Sequence, residues 1–344
     1  MKNTYNIQLY HDNGYINVPA IAERPTWLKV LIGARQVGKT YGVLKYYLDS
    51  REPFILLRRT TDELRFIGNN SALDPFKKFE PEYHTRMYAD GGSYSIADYD
   101  DNGIIEGSRR GIALSLPQIA HIRGFDGSSF KAIIFDEAVP EKGVRVLQAE
   151  GDSLLNAYTT INGNRELEGE PPITLWLLCN TNNINSRVLD ALNLTHDIIS
   201  MRSKGIEYVE KNGVSIFQGM SAKIIEQRKE TALARQISNN SEFAGMAFDN
   251  SWSYDESPII KVRSIKGLTP LCSYNFDLYL WEDSSGIYVC NAPHKVNRYG
   301  GTNFDTQQFT ADYSWLRRWY AEGLVTFSDL RVLALFKKIF ALDF

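Results

Sequence analysis

Gly33-Ala34-Arg35-Gln36-Val37-Gly38-Lys39-Thr40 has the required residue at every fixed position of the pattern G-x-x-x-x-G-K-S/T. Gly33 and Gly38 allow backbone angles that side chains would block, so successive N–H groups can turn toward one anion. Lys39 is then placed to neutralise the β- and γ-phosphates of a nucleoside triphosphate, and Thr40 to hold Mg²⁺. Arg35 lies inside the loop and is counted with these binding positions, although no partner for it can be read from the sequence. A second group closes the run Lys131-Ala132-Ile133-Ile134-Phe135-Asp136-Glu137. An aspartate at the tip of an apolar strand anchors the metal in such enzymes, and a glutamate directly after it can serve as general base toward water. Asn180 follows a third apolar run, Ile173 to Cys179, and is suited to sense a γ-phosphate or simply to make a turn. ATP and Mg²⁺ are the expected ligands, with Gly33, Arg35, Gly38, Lys39, Thr40 and Asn180 around the nucleotide. Thr40 and Asp136 are expected on the metal.

These residues need a scaffold that brings strand tips together. Trp27-Leu28-Lys29-Val30-Leu31-Ile32 precedes the Gly-rich loop, and a helical pattern begins at Tyr41. Pro53 to Arg59 is a further apolar run without alternation, which suits a parallel strand buried on both faces. It ends in Arg58-Arg59, which face either the nucleotide, a neighbouring subunit, or Asp62 and Glu63 close by in the chain. The expected fold is therefore α/β, with a parallel sheet flanked by helices and ligands at the strand tips. Short alternating runs at 94–97 and 111–116 suggest additional antiparallel strands. Residues 206–217 read as a hairpin turning at Asn212-Gly213. Residues 221–237 read as a charged helix whose Lys223, Arg228, Lys229 and Arg235 are either solvated or turned toward phosphate. Trp27 is read as a core side chain rather than a base-stacking one.

The chain has 344 residues, 43% hydrophobic and 23% charged, with a formal net charge of −3. That composition supports one large domain or two, and it shows no global basic field, so any nucleic-acid contact must be a local patch. The three cysteines, Cys179, Cys272 and Cys290, lack metal-ligand spacing and read as reduced core thiols. No apolar run approaches the roughly 18 residues of a membrane span, and the N-terminus lacks the pattern of a signal peptide.

The order of motifs resembles the genome-packaging ATPases of small tailed phages, the phi29 type. The resemblance rests on Ile32 to Thr40, Arg58-Arg59 followed by Glu63-Leu64, Phe135-Asp136-Glu137, Asn164-Arg165-Glu166 and Cys179-Asn180. It covers about residues 27–190, and is weak in the C-terminal hundred. It implies a P-loop ATPase of the class with an added catalytic glutamate, assembled as a homo-oligomeric ring, usually a pentamer. Such a ring docks on the portal of a capsid precursor in the host cytoplasm and drives double-stranded DNA inward, with a structural packaging RNA as a further partner. It also implies an arginine acting on the neighbouring subunit's site. Arg165 is the candidate, with Arg123 and Arg187 as alternatives, because a family arginine near Arg165 is replaced here by Gly163. Lys142 takes the position of a pore lysine for DNA.

The expected layout is an ATPase domain over 1–200, a linker or lid with hairpin and helix over 201–244, and a smaller α+β domain over 245–344. The last resembles an RNase H-like nuclease relic. Two rival readings stand beside the motor. One is a large terminase with an active nuclease, for which Asp277 and Asp283 are the available carboxylates. The other is a nucleotide-dependent scaffold without turnover, against which Glu137 argues.

Overall fold

The computed structural model describes residues 5–70, 72–80, 82–119, 126–140, 149–181, 186–236 and 259–342. The chain divides into two compact units, Met1–Tyr254 and Asp255–Phe344. The first is built on strands β1 (Leu28–Ile32), β2 (Phe54–Arg58), β3 (Thr85–Asp90), β4 (Ser93–Asp100), β5 (Gly103–Ser115), β6 (Ala132–Asp136), β7 (Thr174–Cys179), β8 (Tyr208–Lys211) and β9 (Val214–Gln218). They form one nine-stranded sheet in the order β3-β4-β5-β2-β6-β7-β1-β9-β8. The run β5-β2-β6-β7-β1-β9 is parallel throughout. Every residue of β1, β2 and β6 is buried, as expected for strands covered on both faces and lacking alternation.

Lys29 is the exception that tests this pattern. It is buried within β1, and its ammonium donates to the carbonyls of Ile21 (3.1 Å) and Arg24 (2.6 Å) and to Thr26 Oγ1 (2.9 Å). Those acceptors offset the cost of a buried charge. Burial still pulls the Lys29 pKa down to about 8.

The helix Lys39–Ser50 follows the Gly-rich loop and packs Val43, Leu44, Tyr47 and Leu48 onto the sheet. Their spacing places them along one face. Tyr47 accepts a hydrogen bond from Trp176 Nε1 at 3.0 Å, which ties this helix to β7. Residues 94–97 and 111–115 do enter strands, with β5 antiparallel to β4 and parallel to β2, while Leu116 opens a short helix.

The 201–244 segment departs from the expected linker or lid. Its hairpin forms with the expected turn, Asn212 and Gly213 both at positive φ, but β9 then pairs in parallel with β1, Leu31 opposite Phe217. The hairpin is thus an edge of the main sheet. The physical reason is burial: Ser215, Ile216 and Phe217 are all buried, and Ser215 Oγ is shared with Thr26 (2.7 Å) and Tyr208 (3.1 Å). The expected helix beyond it is two shorter ones, Ala222–Lys229 and Ala232–Gln236. The boundary expected at 245 falls outside the described residues.

The second unit is a five-stranded sheet, β13-β10-β11-β12-β14. Its strands are β10 (Thr269–Tyr274), β11 (Leu278–Asp283), β12 (Gly286–Cys290), β13 (Arg298–Tyr299) and β14 (Val325–Phe327), with helices at Asn303–Asp312, Leu316–Ala321 and Leu330–Phe340. Asn275 and Phe276 form the turn before β11, both at positive φ.

Candidate functional site

Parallel register brings the chemistry-bearing residues together at the C-terminal tips of the strands. Ile32 lies opposite Cys179, Asp136 opposite Leu178, and Leu57 opposite Phe135. The residues that follow these pairs, Gly33, Asn180, Glu137 and Arg58, therefore emerge side by side. Neighbouring strands are about 4.8 Å apart, so the loop after β1 and the carboxylates of β6 flank a gap two strands wide. Asn180 occupies the strand between them.

The loop is held by its own backbone. Gly33 N donates to Cys179 O at 3.2 Å. Gly38 caps the following helix at φ +94, a conformation that glycine adopts without strain. Lys39 is buried, and its ammonium donates to Gly33 O (2.7 Å), Ala34 O (2.8 Å) and Asn180 Oδ1 (3.0 Å). Burial lowers its pKa to about 8, opposed mainly by the nearby charge of Asp136. A buried ammonium resting on carbonyl oxygens is a ready counter-charge for a phosphate.

Thr40 Oγ1 donates to Asp136 Oδ1 at 2.9 Å, which brings together two hard oxygen donors of the kind Mg²⁺ takes alongside phosphate oxygens. The residues present therefore fit a magnesium-bound triphosphate. Asp136 Oδ1 also accepts from Glu137 N at 3.1 Å. Glu137 has φ +55, in the left-handed region, and its side chain is 52% exposed.

Both arginines at the end of β2 are resolved by contacts. Arg58 lies 3.2 Å from Asp136 Oδ2 through Nη2 and 3.3 Å from Glu137 Oε2 through Nη1. Arg59 pairs with Glu150 at 2.6 Å, both nearly fully buried, and reaches Glu63 at 3.4 Å. The adjacency of two arginines at a strand tip signals the site; which carboxylates they meet depends on pairing across β2 and β6.

The remaining candidates fall elsewhere. Arg35 is exposed on the loop. Arg165 lies near the start of β6, where Nη2 donates to Ser128 O (2.5 Å) and Phe130 O (2.8 Å). Asp136 is at the other end of that strand, so Arg165 does not join the site of its own chain. Arg187 is exposed at the start of the helix Arg187–Ala191. Lys142 and Arg123 lie outside the described residues. Trp27, at the opposite end of β1 from the loop, packs on Tyr158 with ring centroids 4.9 Å apart. All three cysteines are buried and free, and burial pushes the Cys179 thiol up to about 12, so it is no nucleophile. In the second unit Asp283 is paired with Arg263 at 2.8 Å, and Asp277 accepts from Asn275 Nδ2 at 3.2 Å. Among the described residues no three His, Cys, Asp or Glu side chains gather as a metal site.

A Gly-rich loop with a buried lysine, a threonine hydrogen-bonded to a strand-tip aspartate, and a glutamate beside it define a P-loop nucleoside triphosphatase. The family model of the podovirus DNA encapsidation protein (Gp16) matches residues 12–305, and the chain belongs to that family. Its fold is similar to a solved structure of the bacteriophage Phi-29 viral genome packaging motor assembly, at 21% identity over 96% of this chain and 100% of that one, TM-score 0.63. It is also similar to the Phi-28 gp11 DNA packaging motor, at 17% identity over 95% and 97% of the two chains, TM-score 0.55. No curated protein matches the sequence. Among the described residues no helix is long and apolar enough to cross a membrane.

Proposed function

We propose that this encapsidation protein hydrolyses ATP and couples each cycle to movement of double-stranded DNA into a capsid precursor. The observation that carries this reading is the cluster of Lys39, Thr40, Asp136 and Glu137 at the C-terminal tips of the strands. Lys39 neutralises charge on the β- and γ-phosphates, and Asn180, already bonded to Lys39, senses whether a γ-phosphate is there. Thr40 and Asp136 would hold Mg²⁺, which supplies charge stabilisation at the phosphates when bound. Glu137 takes the proton of the attacking water as its oxygen bonds to the γ-phosphorus and the bond to ADP breaks. Arg58 holds Glu137 and Asp136 in place between cycles.

An arginine from a neighbouring subunit supplies the remaining positive charge. Arg165 is the proposed donor. Its place near the start of β6 is about 15–20 Å along the strand from Asp136, so only another subunit's site is open to it, and acting there requires it to leave the 127–130 turn. Lys142 is the proposed DNA contact, in a ring, of pentameric type, seated on a portal with or without a packaging RNA.

A triplex-displacement assay tests the coupling. We expect ATP-dependent removal of a third strand from duplex DNA, lost at high salt as phosphate contacts weaken. ATP turnover without displacement would instead make the chain a nucleotide-dependent scaffold or an uncoupled ATPase.

A further inference from the structure

We infer that Arg228 is a phosphate-binding residue of the nucleotide site, brought to the Gly-rich loop from the side opposite Asn180. The inference rests on the loop being a triphosphate site and adds a residue to it. Its basis is the sheet order: β1, which feeds the loop, lies between β7 and β9. The chain leaves β9 beside the loop, because Gln218 is opposite Ile32 and Gly219 N donates to Ile32 O at 3.2 Å. The helix Ala222–Lys229 starts three residues later and is pinned to the segment leading to the loop. Ser221 Oγ donates to Gly14 O at 2.7 Å, and Lys223 Nζ to Asp12 O at 2.9 Å.

The fit at Gly14 is close: a Cβ there would lie 2.7 Å from Ser221 Oγ and 3.2 Å from Ile224 Cγ1, and φ is +90. The next residue, Tyr15, is against the loop itself, with Cδ1 3.2 Å from where a Cβ on Gly38 would be. Ile16 N donates to Val37 O at 3.3 Å. Ile224 is therefore turned toward this strap, and Arg228, four residues on, shares its helix face. Arg228 is half-buried.

Charge supports the same placement. The Arg228 charge is near enough to interact with Tyr15, the residue that lies against the loop at Gly38. Lys39 on the loop and Arg228 on this helix are both cations. Two cations held near each other in a half-buried cleft repel, and an anion between them relieves that repulsion. A triphosphate is such an anion.

Titration of ATP, ADP and adenosine into wild type, Arg228→Gln, Arg228→Lys and Lys39→Ala tests the inference. We expect Arg228→Gln to weaken ATP and ADP about tenfold, roughly 1.4 kcal/mol. Adenosine affinity should stay the same, Arg228→Lys should recover most of the loss at low salt, and thermal midpoints should hold. The dependence of ATP affinity on salt should be shallower in Arg228→Gln, since one phosphate contact is gone. ATP and ADP affinities within twofold of wild type in Arg228→Gln, with Lys39→Ala abolishing both, would overturn the role of Arg228 while leaving the loop as the site. Unchanged binding in Lys39→Ala would overturn the site and the inference together.

Discussion

Replacing Arg58 by methionine removes the charge that holds both carboxylates of β6, and the structure gives the size of the effect. Arg58 and Asp136 are 9% and 5% exposed, with Nη2 to Oδ2 at 3.2 Å. Breaking a fully buried pair by deleting one partner costs about 3–5 kcal/mol, because the other charge is left uncompensated. Asp136 keeps two hydrogen bonds, from Thr40 Oγ1 and Glu137 N, so the cost falls below that range, to about 2–3 kcal/mol. The contact with the half-exposed Glu137 adds less than about 1 kcal/mol. For a unit of this size each kcal/mol shifts the midpoint by about 2–4 °C, so Arg58→Met should unfold roughly 5–10 °C below wild type. Arg58 Nε, buried, has no hydrogen-bond partner among the described residues, so its contribution is mainly ionic. A cation bound at Asp136 takes over that role. Scanning fluorimetry should therefore show the deficit shrinking to less than half with Mg²⁺ and ADP or a non-hydrolysable ATP analogue. A midpoint within 1 °C of wild type, or a deficit indifferent to Mg²⁺-nucleotide, would refute the reasoning.

The buried Lys39, with a free-site pKa of about 8, should make ATP affinity flat below pH 8 and about tenfold weaker per pH unit above it, since the ammonium form binds the anion; calorimetry in buffers of different ionisation enthalpy should show proton uptake in that window. Stability of the ligand-free protein should move the other way, rising from pH 8 toward the ordinary lysine value of 10.5, because the unfolded chain binds more protons there. Gly38→Ala should cost about 1–2 kcal/mol through its left-handed φ and weaken nucleotide binding, and Tyr15→Ala should not rescue it, because the strain is in the backbone rather than in the 3.2 Å contact. Mixing Arg165→Ala with Glu137→Gln, each inactive alone, should restore ATP turnover if Arg165 serves a neighbour, and should restore none if its bonds to the 127–130 turn are its whole role.

The parts of the site that were legible in the sequence are those that local rules determine. The loop pattern, the apolar runs ending in Asp136-Glu137 and Asn180, and the Asn212-Gly213 turn all depend on residues close in the chain. What was hidden depends on pairing between distant segments. Nothing local shows that β9 lies against β1, so the hairpin read as a lid although it is part of the sheet. The same pairing decides where the helix carrying Arg228 starts, which left its charge open between solvent and phosphate. Arg58 and Arg59 were visible as a pair, but their division between the site and Glu150 follows from β2 lying beside β6. In the second unit Pro270 argues against a strand interior, yet β10 forms around it, because its pairing register with β11 shifts between Pro270 and Cys272.

The most direct measurement is ATP binding and steady-state turnover, with and without duplex DNA, for wild type and Glu137→Gln. We expect both proteins to bind ATP within about threefold of each other, and Glu137→Gln to lose at least roughly 100-fold in turnover, as for removal of a general base, with no recovery on adding DNA. Turnover in Glu137→Gln equal to that of wild type would contradict the assignment of Glu137 and with it the hydrolytic mechanism.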